Sequence, residues 1–174
     1  MLMRISTPRA MVVSIVLVVL ALISVHLLDA PWSLIRLREI SGKGEILDMR
    51  LHYSPPEAYA LLDGLGPSGR EFYLWRLLGF ADVLLPLIFW FFGSIAITLG
   101  FPSRPALRWF PAAALGFDYL ENAAIAGLLV TFPRRHPALA AIAGWLTTTK
   151  FVFYGLSLAL VLLAATRQAI KRPR

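Results

Sequence analysis

The chain has 174 residues, 58% of them hydrophobic and 16% charged, with a formal net charge of +7 and no cysteine. That balance is wrong for a soluble domain of this length and makes a bilayer the expected solvent, while the lack of cysteine excludes disulfides, thiolate metal sites and cysteine redox chemistry. The excess of Lys and Arg borders apolar stretches and forms no base-reading or stacking surface, so membrane lipid headgroups are the expected partner and nucleic acid is not.

Four apolar stretches, at about residues 10–28, 72–99, 107–132 and 138–166, reach the roughly 20 residues a spanning helix needs. The fold class expected is all-α: a single-domain integral membrane four-helix bundle with a small extracytoplasmic cap at 31–70, between spans one and two. The first stretch follows Arg4 and Arg9, as a secretory signal would. Its exit, Leu28-Asp29-Ala30-Pro31, offers no small-x-small cleavage pattern and puts proline where cleavage would fall, so the stretch reads as an uncleaved anchor.

In the cap, Leu47, Met49, Leu51 and Tyr53 alternate with Asp48, Arg50 and His52, the period of a half-buried strand. Ser54-Pro55-Pro56-Glu57 has capping-box spacing with prolines in the first turn, which predicts a short helix to about Asp63, stopped by Gly64 and Gly66. Its apolar residues Ala58, Leu61, Leu62 and Leu65 need cover, either on the mouth of the bundle or on a membrane surface. Ser68-Gly69-Arg70-Glu71 repeats the capping-box spacing and is the expected start of the second span.

Within that span Pro86 follows Asp82 by four residues, so the Asp82 carbonyl loses its helical N–H donor. Such breaks persist where neighbouring helices, water or a ligand supply the missing partner. Arg76 lies six residues before Asp82, which on a continuous helix puts the two on different faces. The third span carries Asp118 on one face with Glu121 and Asn122, amid alanines and glycines that permit close helix approach. In the fourth, Thr147, Lys150, Tyr154 and Ser157 make a polar stripe, and Ala140, Gly144 and Thr148 make a small-residue face suited to another helix.

With both termini inside, Arg4, Arg9, Arg104, Arg108, Arg167, Lys171, Arg172 and Arg174 fall on the cytoplasmic side, close to span ends. Most of the remaining cations lie in the long loop, mixed with acids, although Arg134, Arg135 and His136 form a basic outer turn. The expectation is a multi-pass protein of the bacterial inner membrane with cytoplasmic termini.

Asp82, Asp118, Glu121 and Lys150 are the costly residues of these stretches and mark the candidate site, together with Asn122 and Tyr154. Centring each span puts the four charges in one band, roughly 12 to 21 Å from the inner edge. Three carboxylates against one lysine leave two negative charges to be neutralised by protons, a cation or a cationic ligand group. The cluster is compatible with acid–base catalysis on a membrane-soluble substrate, with proton exchange in a transporter, with binding of a lipophilic amine beside Trp90, Phe91 or Tyr154, and with a structural pair such as Asp118 and Lys150. His26, His52 and His136 make no metal-ligand pattern, and no metal or other cofactor is expected.

Tyr53-Ser54-Pro55-Pro56-Glu57-Ala58-Tyr59, Leu65-Gly66 with Gly69-Arg70, Asp82 with Pro86, and Phe117-Asp118-Tyr119-Leu120-Glu121-Asn122 together resemble a family of small, uncharacterised bacterial four-span inner-membrane proteins. The resemblance covers about residues 47–122 and implies location without an activity. A looser likeness, of architecture alone, is to the four-span fold of sterol isomerases and sigma-2-type receptors, whose acidic residues line a cavity for cationic or sterol-like ligands. The expected function is recognition of a small or lipophilic molecule, with proton-coupled transport or intramembrane acid–base chemistry as further forms. The alternative is an accessory protein whose buried polar residues organise helix packing or a homo-oligomer.

Overall fold

In the computed structural model, residues 6–27 and 31–171 are described. Arg4, Arg172, Arg174 and the 28–30 part of the anchor's exit lie outside the described residues, as do the side chains of His26 and Lys171.

Helix α1 (Pro8–His26) starts at Thr7, whose hydroxyl accepts from the Ala10 N–H at 3.1 Å. Helix α2 (Leu34–Ser41) is capped by Ser33 and closed by Gly42 in the left-handed region, φ 68°. After a 3-10 turn at Leu47–Met49 comes α3 (Pro55–Gly64), where Glu57 accepts from the Ser54 hydroxyl at 2.6 Å and from its backbone N–H at 2.7 Å. Those bonds hold the exposed Glu57 carboxyl below its usual range. Helices α4 (Gly66–Leu78) and α5 (Phe80–Gly100) follow, then a 3-10 turn at Pro105–Arg108, α6 (Trp109–Thr131) and α7 (Pro137–Lys171).

Four helical stretches are long and apolar enough to cross a membrane: Pro8–Val25, Gly66–Gly100, Pro105–Thr131 and Pro137–Ile170. Helices α6 and α7 form the most extensive pair, α5 packs on both, and α1 lies against α5. One end of this bundle carries residues 31–64 and α4. The largest buried apolar cluster is there, built from Leu37, Leu47, Tyr53, Leu62, Tyr73 and Ile125 among others. Helix α3 buries Ala58, Leu61, Leu62 and Leu65 in that cluster and packs against α7, so its cover is the protein itself.

The structure departs from the sequence reading in four places. No strand forms at 47–53, and no strand is present among the described residues. A lone strand would leave its ladder groups unpaired. Instead the Tyr73 hydroxyl oxygen accepts from the N–H groups of Leu47 and Asp48, at 3.0 and 3.3 Å. The alternation consequently fails: Met49 and Leu51 are exposed, while Asp48 is buried. Next, Ser68 is not a cap, because α4 begins at Gly66 and Ser68 falls within its first turn.

The second stretch is two helices, not one. It breaks at Gly79, whose backbone is extended at ψ −170°, and a Cβ at that position would come within 2.6 Å of the Trp75 carbonyl. Helix α5 then runs through Pro86 without interruption. Finally, the Gly144 face receives chain from the end segment and not a spanning helix. The Tyr53 carbonyl occupies the space a side chain at 144 would need, and the Thr148 hydroxyl donates to the Leu51 carbonyl at 3.0 Å. His52 completes this seam, its Nδ1 lying 3.0 Å from the Thr148 hydroxyl and its ring against Trp145.

Candidate functional site

The turn at Gly79 gives Arg76 and Asp82 a common side. Their side chains meet at 2.6 Å, and both are buried. On an unbroken helix the six-residue spacing would separate them, so the break is what closes this pair. Arg76 also lies 3.6 Å from Asp48 and donates to the Trp32 carbonyl at 3.2 Å. Asp48 in turn accepts from the Tyr73 hydroxyl at 2.5 Å. A residue that the alternating pattern assigned to a solvent-facing strand position is therefore part of the buried charge layer.

Across the bundle, Glu121 is completely buried between α6 and α7. It forms an ion pair with Lys150 and accepts a hydrogen bond from the Thr147 hydroxyl. The Lys150 pairing expected of Asp118 is thus made by Glu121, one helical turn further along α6. Beside this pair the Tyr53 hydroxyl is buried near Thr147, and burial pushes the phenol above its ordinary range.

Asp118 has different company. It accepts from the Tyr154 hydroxyl at 2.8 Å and from the Asn122 amide at 3.4 Å, and it has no ion-pair partner among the described residues. Asn122 spends its shorter bond elsewhere, donating at 3.2 Å to the Asp82 carbonyl that Pro86 leaves free. Tyr119 donates to the next carbonyl, that of Val83, at 2.7 Å. Helix α6 thereby supplies the partners that let α5 carry a proline without breaking.

The six sequence candidates therefore converge, with Asp82 and Asp118 near the middle of the Gly66–Gly100 and Pro105–Thr131 stretches. Asp82 stands in the first turn of α5, about 27 Å along the helix from Gly100 at 1.5 Å per residue. The layer also takes in Asp48 of the end segment. Its composition is Asp48, Asp82, Asp118 and Glu121 against Arg76 and Lys150, which restores the excess of two carboxylates with a new distribution. Three of the acids make an ion pair, whereas Asp118 makes none within 4.0 Å among the described residues and shares the cavity wall with Lys150.

A cavity of about 590 Å³ opens from this layer, within the span of about 300 to 1,000 Å³ usual for ligand pockets. Its polar end is formed by Asp48, Arg76, Asp118, Lys150 and Tyr154, and its remainder is lined by apolar side chains of α1, α5 and α7 together with Met49 and Ser157. The aromatic walls are Phe89 and Phe92, and Phe89 meets the Tyr154 ring edge-on at 6.0 Å. Of the aromatic residues chosen from sequence, Tyr154 lines it and Trp90 and Phe91 do not.

Sequence reasoning missed Asp48 and Tyr73 and placed Arg76 on a different helix face from Asp82. The available signals were Gly79 between Arg76 and Asp82, and an aspartate beside a leucine in a loop that otherwise needed burial. Among the described residues, no three His, Asp or Glu side chains are arranged to hold a metal ion. Compared with known proteins, the chain matches no protein family, no curated protein and no solved structure.

Proposed function

We propose that this chain is an integral membrane protein of the bacterial inner membrane that binds a lipophilic molecule with a cationic head, the head at Asp118 and the apolar part along Phe89 and Phe92. The observation that carries the reading is the position of Asp118. It is a buried carboxylate on a cavity wall, hydrogen-bonded only by neutral groups, in a layer with two more acids than bases. An ionised carboxylate there costs several kcal/mol, in order of magnitude, unless a counter-charge or proton accompanies it. A cationic head supplies that counter-charge, and the Phe89 and Tyr154 rings give it favourable aromatic contact.

The orientation proposed has both termini in the cytoplasm and residues 31–64 outside. Arg9, Arg104, Arg108 and Arg167 fall at one end of the bundle, and the Arg167 guanidinium stacks 4.7 Å from the Phe101 ring there. The described acidic residues outside the buried layer belong to the other end. A second, structural reading is favoured by the closed pairs Arg76–Asp82 and Glu121–Lys150, which tie α4 to α5 and α6 to α7.

One experiment separates the two. Thermal unfolding of the purified protein in mild detergent is measured with dodecylamine, dodecanol and dodecanoic acid. Dodecylamine should stabilise the wild type most, and Asp118→Asn should keep the ligand-free midpoint within about 2–4 °C, the shift worth about 1 kcal/mol in a chain of this size. The variant should bind dodecylamine at least tenfold more weakly. Equal stabilisation of wild type and variant, or a collapse of the variant without ligand, would favour the structural reading.

A further inference from the structure

The geometry points to a ligand that reaches Asp118 sideways from the hydrocarbon, through a gap between α1 and α7, and hence to a single-chain amine already dissolved in the bilayer as the class bound. This inference rests on the binding role of Asp118 proposed above and adds the route and the phase from which the ligand comes.

Three observations carry it. First, α1 and α7 both flank α5 and both line the cavity, yet they are not packed against each other to any appreciable extent. Val18, Leu22 and Val25 form the α1 wall, while Tyr154, Leu158 and Val161 belong to the α7 wall. The side chains at the rim stay open, with Leu22 37% and Leu158 58% exposed. In a membrane that exposure faces acyl chains.

Second, the polar end is occupied by a buried network, with Met49 as its exposed lining residue. Arg76 is held by Asp82, Asp48 and the Trp32 carbonyl, and Asp48 is held by Tyr73, all in a buried arrangement beneath the end segment. The Trp32 indole donates to Ser24 of α1 at 2.9 Å, which fixes the adjoining end of α1 to the same layer. A water-soluble amine entering from the end would have to dismantle this network, and each buried ion pair opened would leave a desolvated charge behind.

Third, the polarity of the cavity runs in the order a lateral entrant needs. The acidic head site is at the polar end, and the walls away from it are aliphatic and aromatic. A chain sliding in from lipid exchanges one apolar environment for another, so discrimination falls on the head, where Asp118 makes no ion pair among the described residues.

Because the chain has no cysteine, the gap is open to a direct test. Leu22→Cys and Leu158→Cys are combined, the protein is reconstituted in phosphatidylcholine nanodiscs, and the two thiols are joined with a bis-maleimide. The readout is exchange of radiolabelled dodecylamine, with N-ethylmaleimide treatment of the same variant as control. Joining the helices should slow exchange at least tenfold, and label loaded beforehand should remain trapped. The rate of that control, and not the wild-type rate, is the reference for the comparison. Unchanged exchange after joining would overturn the lateral route and leave the Asp118 reading standing. No dodecylamine binding to wild type would overturn both. Should the double variant fail to fold, Leu158→Trp alone narrows the same gap and should slow exchange at least threefold. Exchange by that variant at the wild-type rate would also refute the route.

Discussion

Asp118, Glu121 and Asn122 share one face of α6 and perform three different tasks. Glu121 is closed against Lys150 and Thr147, Asn122 bridges Asp118 to the carbonyl freed by Pro86, and Asp118 is left facing the cavity. Sequence spacing identifies the face and not the division of labour, because i, i+3 and i+4 positions differ by only a few ångströms and their partners come from other helices. The role given to Asn122 leads to a measurable cost. Asn122→Ala removes the donor to the Asp82 carbonyl in a buried setting, and a stranded acceptor of this kind is worth about 1–3 kcal/mol. Denaturant unfolding in detergent should show that loss. A change below about 0.5 kcal/mol, the ordinary range for surface sites, would mean water or another group replaces the bond.

Among the elements, the stretch from Gly66 to Gly100 holds the most instructive contrast. Its proline is tolerated and its glycine is the breakpoint, the reverse of what helix chemistry alone suggests. Pro86 survives because Asn122 and Tyr119 donate to the carbonyls beside it. Gly79 turns because its backbone runs against the Trp75 carbonyl, where a Cβ has no room. That turn brings Arg76 onto Asp82 within the charge layer. Gly79→Ala should therefore destabilise the protein by about 1–3 kcal/mol through overpacking. If α4 and α5 gained by merging into one helix, the same change would stabilise by about 0.5–1 kcal/mol. The sign of the shift in thermal unfolding decides between these outcomes.

At the scale of the whole molecule, the end segment is as well packed as the bundle it covers. Leu47, Tyr53 and Leu62 are fully buried, whereas much of α1 and α7 presents apolar side chains outward. Such an inverted distribution, with polar charge inside and hydrocarbon outside, suits lipid as solvent. The proposed orientation makes a plain prediction for cells. Glu39→Cys and Ser103→Cys both place a thiol at an exposed position, on α2 and on the α5–α6 connection respectively. A membrane-impermeant maleimide should label the first in intact spheroplasts and the second only after permeabilisation. The reverse pattern would invert the topology.

Taken by itself, the sequence determined the four apolar stretches, the capping of α3 by Ser54 and Glu57, and the residues that are too costly to bury without a reason. Those properties belong to local composition and short-range spacing, which one-dimensional periodicity records faithfully. Only the tertiary structure decided that Asp48 joins the buried layer, that Arg76 turns inward to Asp82, and that Lys150 pairs with Glu121 and leaves Asp118 on the cavity. Each of these depends on a contact between separate elements, or on a change of direction at one glycine. The energy of a buried charge is set by what stands within a few ångströms of it, and distance along the chain does not record that.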